Sequence, residues 1–139
     1  MRRLLVEADG GSRGNPGPAA GGAIVCDADS GQVLAELGVF VGVATNNVAE
    51  YSGMLAGVRK ALELAPGAEI LIRMDSKLVV EQMMGRWKIK HPDMQVLARE
   101  ARELLAGHHA RFEWVPRLEN LRADALANEA MDARASFSR

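Results

Sequence analysis

Residues 4–25, LLVEADGGSRGNPGPAAGGAIV, put an acid where an apolar run meets a loop crowded with glycine and proline. Residues 3–9 alternate and favour β-structure, and Asp9 closes the run. A carboxylate there suits a turn, or it serves chemistry at the rim of a sheet. Downstream, GGAIVCDAD (21–29) and QVLAELGVFVGV (32–43) read as two more strands. DADSG between them has turn chemistry, so the three strands are expected to form an antiparallel meander.

The pattern then changes period. Val48, Tyr51, Leu55, Val58 and Leu62 recur at helical spacing until Pro66-Gly67 stops the run. EILIRMD (69–75) reads as a strand, SKLVVEQMM (76–84) as a short helix ended by Gly85, and residues 93–106 as an amphipathic helix. ARFEWVP (110–116) makes a last strand, and a terminal helix runs from Arg122 to about Arg134. This order mixes a hairpin sheet with parallel crossovers, an α/β class. One domain over 1–139 is expected, with a core from about 3 to 135 and a frayed tail at 136–139.

Composition narrows the partners. The chain of 139 residues is 48% apolar and 25% charged, with a formal net charge of -1. It is therefore no general electrostatic sponge for nucleic acid, and contact with phosphates needs a local basic cluster or bound cations. Cys26 stands alone inside a strand-like run and reads as a small core residue in a reducing compartment. No apolar run is long enough to span a bilayer, and the N-terminus reaches an acid too early for a signal peptide. A cytoplasmic, monomeric protein without a membrane partner is expected.

Four acids carry the chemical reading. Asp9 and Asp75 both end apolar strands. If those strands are parallel neighbours, both carboxylates reach the edge where open α/β sheets bind ligands. Asp75 equally suits the N-cap of the next helix. Glu50 sits in the first turn of a helix that is apolar or small nearly all round, on a face continued by Gly53, Gly57 and Ala61. It suits a capping box with Asn47, yet a buried carboxylate there needs a partner, and no Lys or Arg lies a helical turn away. Asp124, at the start of the last helix, favours the helix dipole. Singly each acid has an ordinary role. As a converging set they would repel one another unless protonated or metallated, and oxygen-only donors suit Mg²⁺ or Mn²⁺.

EADGGSRGNPGP, TNNVAEY, MDSKLVVEQM and ENLRADALAN, in this order, resemble the motifs of the type I ribonuclease H family over residues 3–135. The resemblance implies a ribonuclease H-like fold, a five-stranded mixed sheet flanked by helices. It implies metal-dependent endonucleolytic cleavage of the RNA strand of RNA·DNA hybrids, leaving 5′-phosphate and 3′-hydroxyl ends. Asp9, Glu50, Asp75 and Asp124 would be its catalytic, metal-holding acids, with two Mg²⁺ ions per site and Mn²⁺ as a substitute. By the same resemblance Asp9 bridges both ions, and Asp124 holds the ion that activates water. Glu50 and Asp75 hold the ion at the leaving oxygen, and Glu50 touches an RNA 2′-hydroxyl.

The loops take substrate roles by the same carry-over. Gly11 and its neighbours let backbone approach the hybrid, and Asn15 faces the minor groove. Thr45 meets a DNA phosphate, and Asn46 and Asn47 meet base edges or sugars; capping of the helix is the alternative for all three. Ser76 and Lys77 follow the third acid, with Lys77 on a phosphate. Arg86, Trp87, Lys88 and Lys90 form the dense basic and aromatic cluster, a shortened form of the family's substrate-binding protrusion, or else a solvated loop. VPRLEN (115–120) has Arg117 where many members carry a His, so His-assisted catalysis is not expected, while Arg117 can hold a phosphate. His108 and His109 read as surface residues. Readings that remain open are cleavage of double-stranded RNA, a non-catalytic hybrid-binding module, and a nucleotide-binding α/β domain; the last lacks G-x-G-x-x-G.

Overall fold

Along the first strand Leu4, Val6 and Ala8 alternate with Leu5, Glu7 and Asp9, which sends the two sets to opposite faces of a sheet. The computed structural model, which describes residues 2–139, builds that sheet in two halves. β1 (Arg3–Ser12), β2 (Gly17–Asp27) and β3 (Val33–Ala44) form the antiparallel meander. β4 (Glu69–Met74) then pairs parallel with β1, and β5 (Ala110–Trp114) pairs parallel with β4. Both parallel joins run through helices, as parallel crossovers require.

Helix α1 (Asn46–Leu64) covers one face. Its Tyr51, Met54, Leu55 and Val58 pack on Leu4, Val6, Ala8, Ile70 and Ile72 in the main core. The Tyr51 hydroxyl is buried there and donates to Gln82 Oε1 at 2.7 Å, which ties α1 to α2 (Lys77–Met83). Helix α3 (Pro92–Leu105) packs outside α1 through Met94, Ala98 and Ala101. On the opposite face, α4 (Leu121–Ala133) lays Leu126, Ala127, Ala130 and Met131 over β2. Among the described residues no helix is long and apolar enough to cross a membrane.

Three expectations change. The sheet has six strands rather than five, in the order β5-β4-β1-β2-β3-β6. The extra strand is the tail expected to fray. β6 (Phe137–Ser138) pairs antiparallel with β3, and the Phe40 N–H donates to the Ser136 hydroxyl at 2.9 Å. Phe137 packs against Gly38, whose missing side chain leaves room for the ring. Arg139 is held by Glu36 and by Glu129, with Nη1 2.6 Å from Glu129 Oε2. A short segment rich in Ser and Arg carries too little apolar signal to announce that pairing.

The third change concerns Asp9. It does not end its strand: the β1–β2 ladder continues beyond Asp9↔Gly22 to Ser12↔Ala19. The pairing that stops is the one with β4, whose last partners are Ala8 and Met74. Asp9 is thus anchored on one side by β2 and open on the other. The glycine-rich stretch belongs mostly to the sheet, and the loop shrinks to residues 13–16.

Glycine is required where helix meets sheet. A methyl group on Gly22 would run into the backbone of Ala127 and Ala123 in α4, and one on Gly10 into the backbone of Ala49 and Glu50 in α1. Backbone cannot swing aside as a side-chain end can. Gly22→Ala is expected to lower stability by about 1–3 kcal/mol through overpacking. Urea unfolding checks it, with the midpoint falling at an unchanged m-value.

Candidate functional site

The register delivers the acids to one rim. Odd-numbered Leu5, Glu7 and Asp9 face α4, and the buried Glu7 takes both an Nε bond at 3.1 Å and an ion pair at 3.0 Å from Arg122. That pair fastens the start of α4 to β1 two residues before Asp9. Asp75 follows β4 directly, past the end of the parallel pairing. Glu50 lies in the first turns of α1, where Gly53 lets the helix lie close to the Asp9 carbonyl and Gly22. Asp124 lies in the first turn of α4, and its Oδ2 receives Asn128 Nδ2 at 3.3 Å. All four acids line one open cleft of about 310 Å³.

Local capping settles the ordinary alternatives for two of them. Ser76, not Asp75, caps α2, accepting from the Val79 N–H at 3.3 Å. Thr45 caps α1, accepting from the Val48 N–H at 3.3 Å, so Glu50 does not sit where a capping box needs it.

The electrostatics follow from crowding. Burial pushes the Asp9 carboxyl up to about 8, and the Asp75 charge and the adjoining Asp124 carboxyl push the same way, while the Gly10 N–H opposes them. Burial likewise raises Glu50 to about 7; the Ser76 hydroxyl offsets part of this and the Asp75 charge adds to it. Each acid therefore feels at least one other. Among the described residues no three His, Cys, Asp or Glu side chains already close into a metal cage. The cleft is an open one, lined by oxygen donors and without His or Cys. That donor set fits Mg²⁺ or Mn²⁺, hard ions that keep waters and accept phosphate oxygens beside one or two carboxylates.

The other expected residues divide. Gly11, Asn46 and Arg117 line the cleft with the acids. Asn15 lies just outside, its Oδ1 accepting from the Asn46 N–H at 3.1 Å, while Asn46 Oδ1 accepts from the Ser12 N–H at 2.7 Å. These bonds tie the β1–β2 loop to the helix start. Thr45 and Asn47 belong to the same helix start, Ser76 adjoins Glu50, and Lys77 lies over the Trp114 ring, its Nζ 5.9 Å from the centroid. Trp87 and Lys88 do not line the acid cleft; they border a separate groove with Gln95, Arg99 and Arg102. Trp87 is exposed, and Arg86 is paired with Glu81 at 2.7 Å, which offsets part of that cluster's charge. His108 and His109 are exposed, as expected.

The cleft also takes in residues that the sequence does not single out, among them Arg13, Asn128 and Met131. Asn128 stands one helical turn after Asp124, a spacing that signals its contact. Asn120 is buried beneath Asp75, and nothing in ENLRAD signals that.

Comparison with known proteins shows where this fold recurs. Residues 7–130 match the family described as reverse transcriptase-like. A bifunctional protein of Mycobacterium tuberculosis is 55% identical over 134 residues, covering 96% of this chain, and this chain spans 36% of that relative's length. Its N-terminal RNase H domain, solved fused to maltose-binding protein, superposes with a TM-score of 0.91 at 54% identity, covering 96% of each chain. The ribonuclease HI of Halobacterium salinarum is 46% identical, covering 94% of this chain and 65% of its own length. A ribonuclease H1 isolated from compost by a metagenomic approach, solved with an RNA/DNA hybrid, gives a TM-score of 0.88 at 34% identity, covering 94% of this chain and 98% of that one.

The raised carboxyls predict how stability responds to pH. An acid whose folded value lies above its ordinary one holds protons in the folded state that the unfolded chain has released. With chelator present, stability is expected to fall as pH rises from about 4 to about 8, the window set by Asp9 and Glu50. Asp9→Asn should flatten that slope, and millimolar Mn²⁺ should restore stability at the alkaline end. Thermal unfolding across the range checks it; a flat profile in chelator would contradict the crowding.

Proposed function

The chain belongs to the type I ribonuclease H family, and from that premise we propose that it hydrolyses the RNA strand of RNA·DNA hybrids with two divalent cations. The observation that carries the reading is the meeting of Asp9, Glu50, Asp75 and Asp124 in one open cleft of oxygen donors. The compost enzyme solved with an RNA/DNA hybrid supports the substrate class.

Asp9, Glu50, Asp75 and Asp124 would together hold two Mg²⁺ ions, with Mn²⁺ as a substitute. Bound there, the ions supply Lewis-acid charge that eases deprotonation of water and stabilises the phosphorane-like transition state. The chain's own part is to place those charges and to orient the strand. Cations held there would favour the deprotonated forms of Asp9 and Glu50, so the cost of crowding would become affinity. Arg117, a permanent cation on the cleft wall, orients the scissile or departing phosphate and takes no proton. Gly11, without a side chain, leaves the rim beside Asp9 low enough for a backbone to approach. A contact of Glu50 with a ribose 2′-hydroxyl would require RNA at the cleaved position. In-line attack by water breaks the P–O3′ bond and leaves 5′-phosphate and 3′-hydroxyl ends. One chain supplies all four acids, so a monomer suffices.

Cleavage of labelled RNA·DNA, RNA·RNA and DNA·DNA duplexes, with Mg²⁺ and with chelator, tests the proposal. The hybrid's RNA strand should be cut, and chelator should stop it. Asp9→Asn should reduce kcat at least about a hundredfold while hybrid binding persists. Equal cleavage of RNA·RNA would widen the substrate, and undiminished cleavage by Asp9→Asn would remove the metal from the mechanism.

A further inference from the structure

Asp75 belongs to neither of its neighbouring elements. β4 ends at Met74, and α2 begins at Lys77 behind its Ser76 cap. The strand ladder therefore does not orient it, although it sits beside Asp9 and Glu50, whose charges repel its own. Two side chains hold it instead. Trp114 Nε1 donates to the Asp75 carbonyl at 3.1 Å, fixing the backbone. Asn120 Nδ2 donates to Asp75 Oδ1 at 2.8 Å, fixing the carboxylate.

Asn120 does more than touch Asp75. The same Nδ2 donates to the Ala8 carbonyl at 2.9 Å, one residue before Asp9. Its own carbonyl accepts from the Asp124 N–H at 3.2 Å, at the start of α4. One residue thus bonds to Asp75, to the residue preceding Asp9, and to Asp124. The amide can face only one way, since both its side-chain partners are acceptors. That orientation leaves Asn120 Oδ1 buried with no hydrogen-bond partner among the described residues, in a side chain that is 1% exposed. A buried acceptor without a partner is a cost that an asparagine serving only to pack would avoid.

We infer that Asn120 is a positioning residue: its side-chain amide, bonded at once to the Ala8 carbonyl and to Asp75 Oδ1, aims Asp75 into the cleft and sets its separation from Asp9. It touches no substrate and acts through Asp75. The inference rests on the ribonuclease reading above, and its test includes a measurement that needs no cleavage.

Asn120→Ala and Asn120→Ser are compared with wild type by steady-state cleavage of the hybrid, by hybrid binding in chelator, and by calorimetric binding of Mn²⁺ alone. Removing an outer partner of a metal-holding carboxylate should lower kcat about 10- to 100-fold and weaken Mn²⁺ binding by a similar factor, with KM and hybrid affinity held within about twofold. The serine, which keeps one donor, should recover part of both losses, and it also serves if the alanine variant folds poorly. Wild-type kcat and Mn²⁺ affinity in both variants would overturn the inference. So would a fall in hybrid affinity matching the fall in kcat while Mn²⁺ binding stays intact. If the wild type itself cleaves no duplex, the ribonuclease reading fails, and Mn²⁺ binding alone still decides the role of Asn120.

Discussion

Mutual repulsion among carboxylates held at the open end of a parallel strand pair is the constraint around which this molecule is arranged. β1 and β4 run side by side until Ala8 and Met74, and the next residue on each is an aspartate. The pairing with β2 continues past Asp9, so this acid cannot swing away, and it is 8% exposed. Its carboxyl is displaced to about 8 for that reason, and Glu50 to about 7. Groups so displaced mark a place that gains from positive charge, and perturbed carboxyls in a cleft are a recognised sign of function. A stability-driven sequence would not place them together.

The rest of the fold keeps the four acids from relaxing apart. Glycines 10, 22 and 53 admit helix backbone against sheet backbone on both faces, so α1 and α4 cannot be displaced without opening the core. The Glu7–Arg122 pair and the Asn120 bonds fasten the start of α4 to β1 and to the residue after β4. On the far side of the cleft, Asn15 and Asn46 tie the β1–β2 loop to α1. Such a scaffold would hold the proposed ions without reorganising, which is the condition for electrostatic catalysis to be effective. The apolar core under α1 supplies the stability against which this crowding is set.

Much of this was legible from residues alone. The meander, the helices and the parallel placement of Asp9 and Asp75 follow from alternation, helical spacing and turn chemistry, and the glycine face of α1 correctly announced close packing beside Glu50. What failed to show depends on tertiary partners. The continuation of β1 to Ser12 is hidden because Gly-Gly-Ser looks like loop until β2 pairs with it. The last strand is hidden because its pairing needs only two residues and a glycine on β3. Arg86 looks free until Glu81, five residues earlier, is brought round by the end of α2. Asn120 reads as part of the loop before the last helix, since no local pattern says that a distant carboxylate lies against its amide.

The central claim is that the crowded acids exist to hold a pair of divalent ions. An anomalous-difference map from crystals soaked in Mn²⁺ addresses it most directly. Two peaks about 3.5–4 Å apart, lying among Asp9, Glu50, Asp75 and Asp124, are the expected result. A map without density among these four side chains, or with Mn²⁺ bound only elsewhere on the surface, would contradict it.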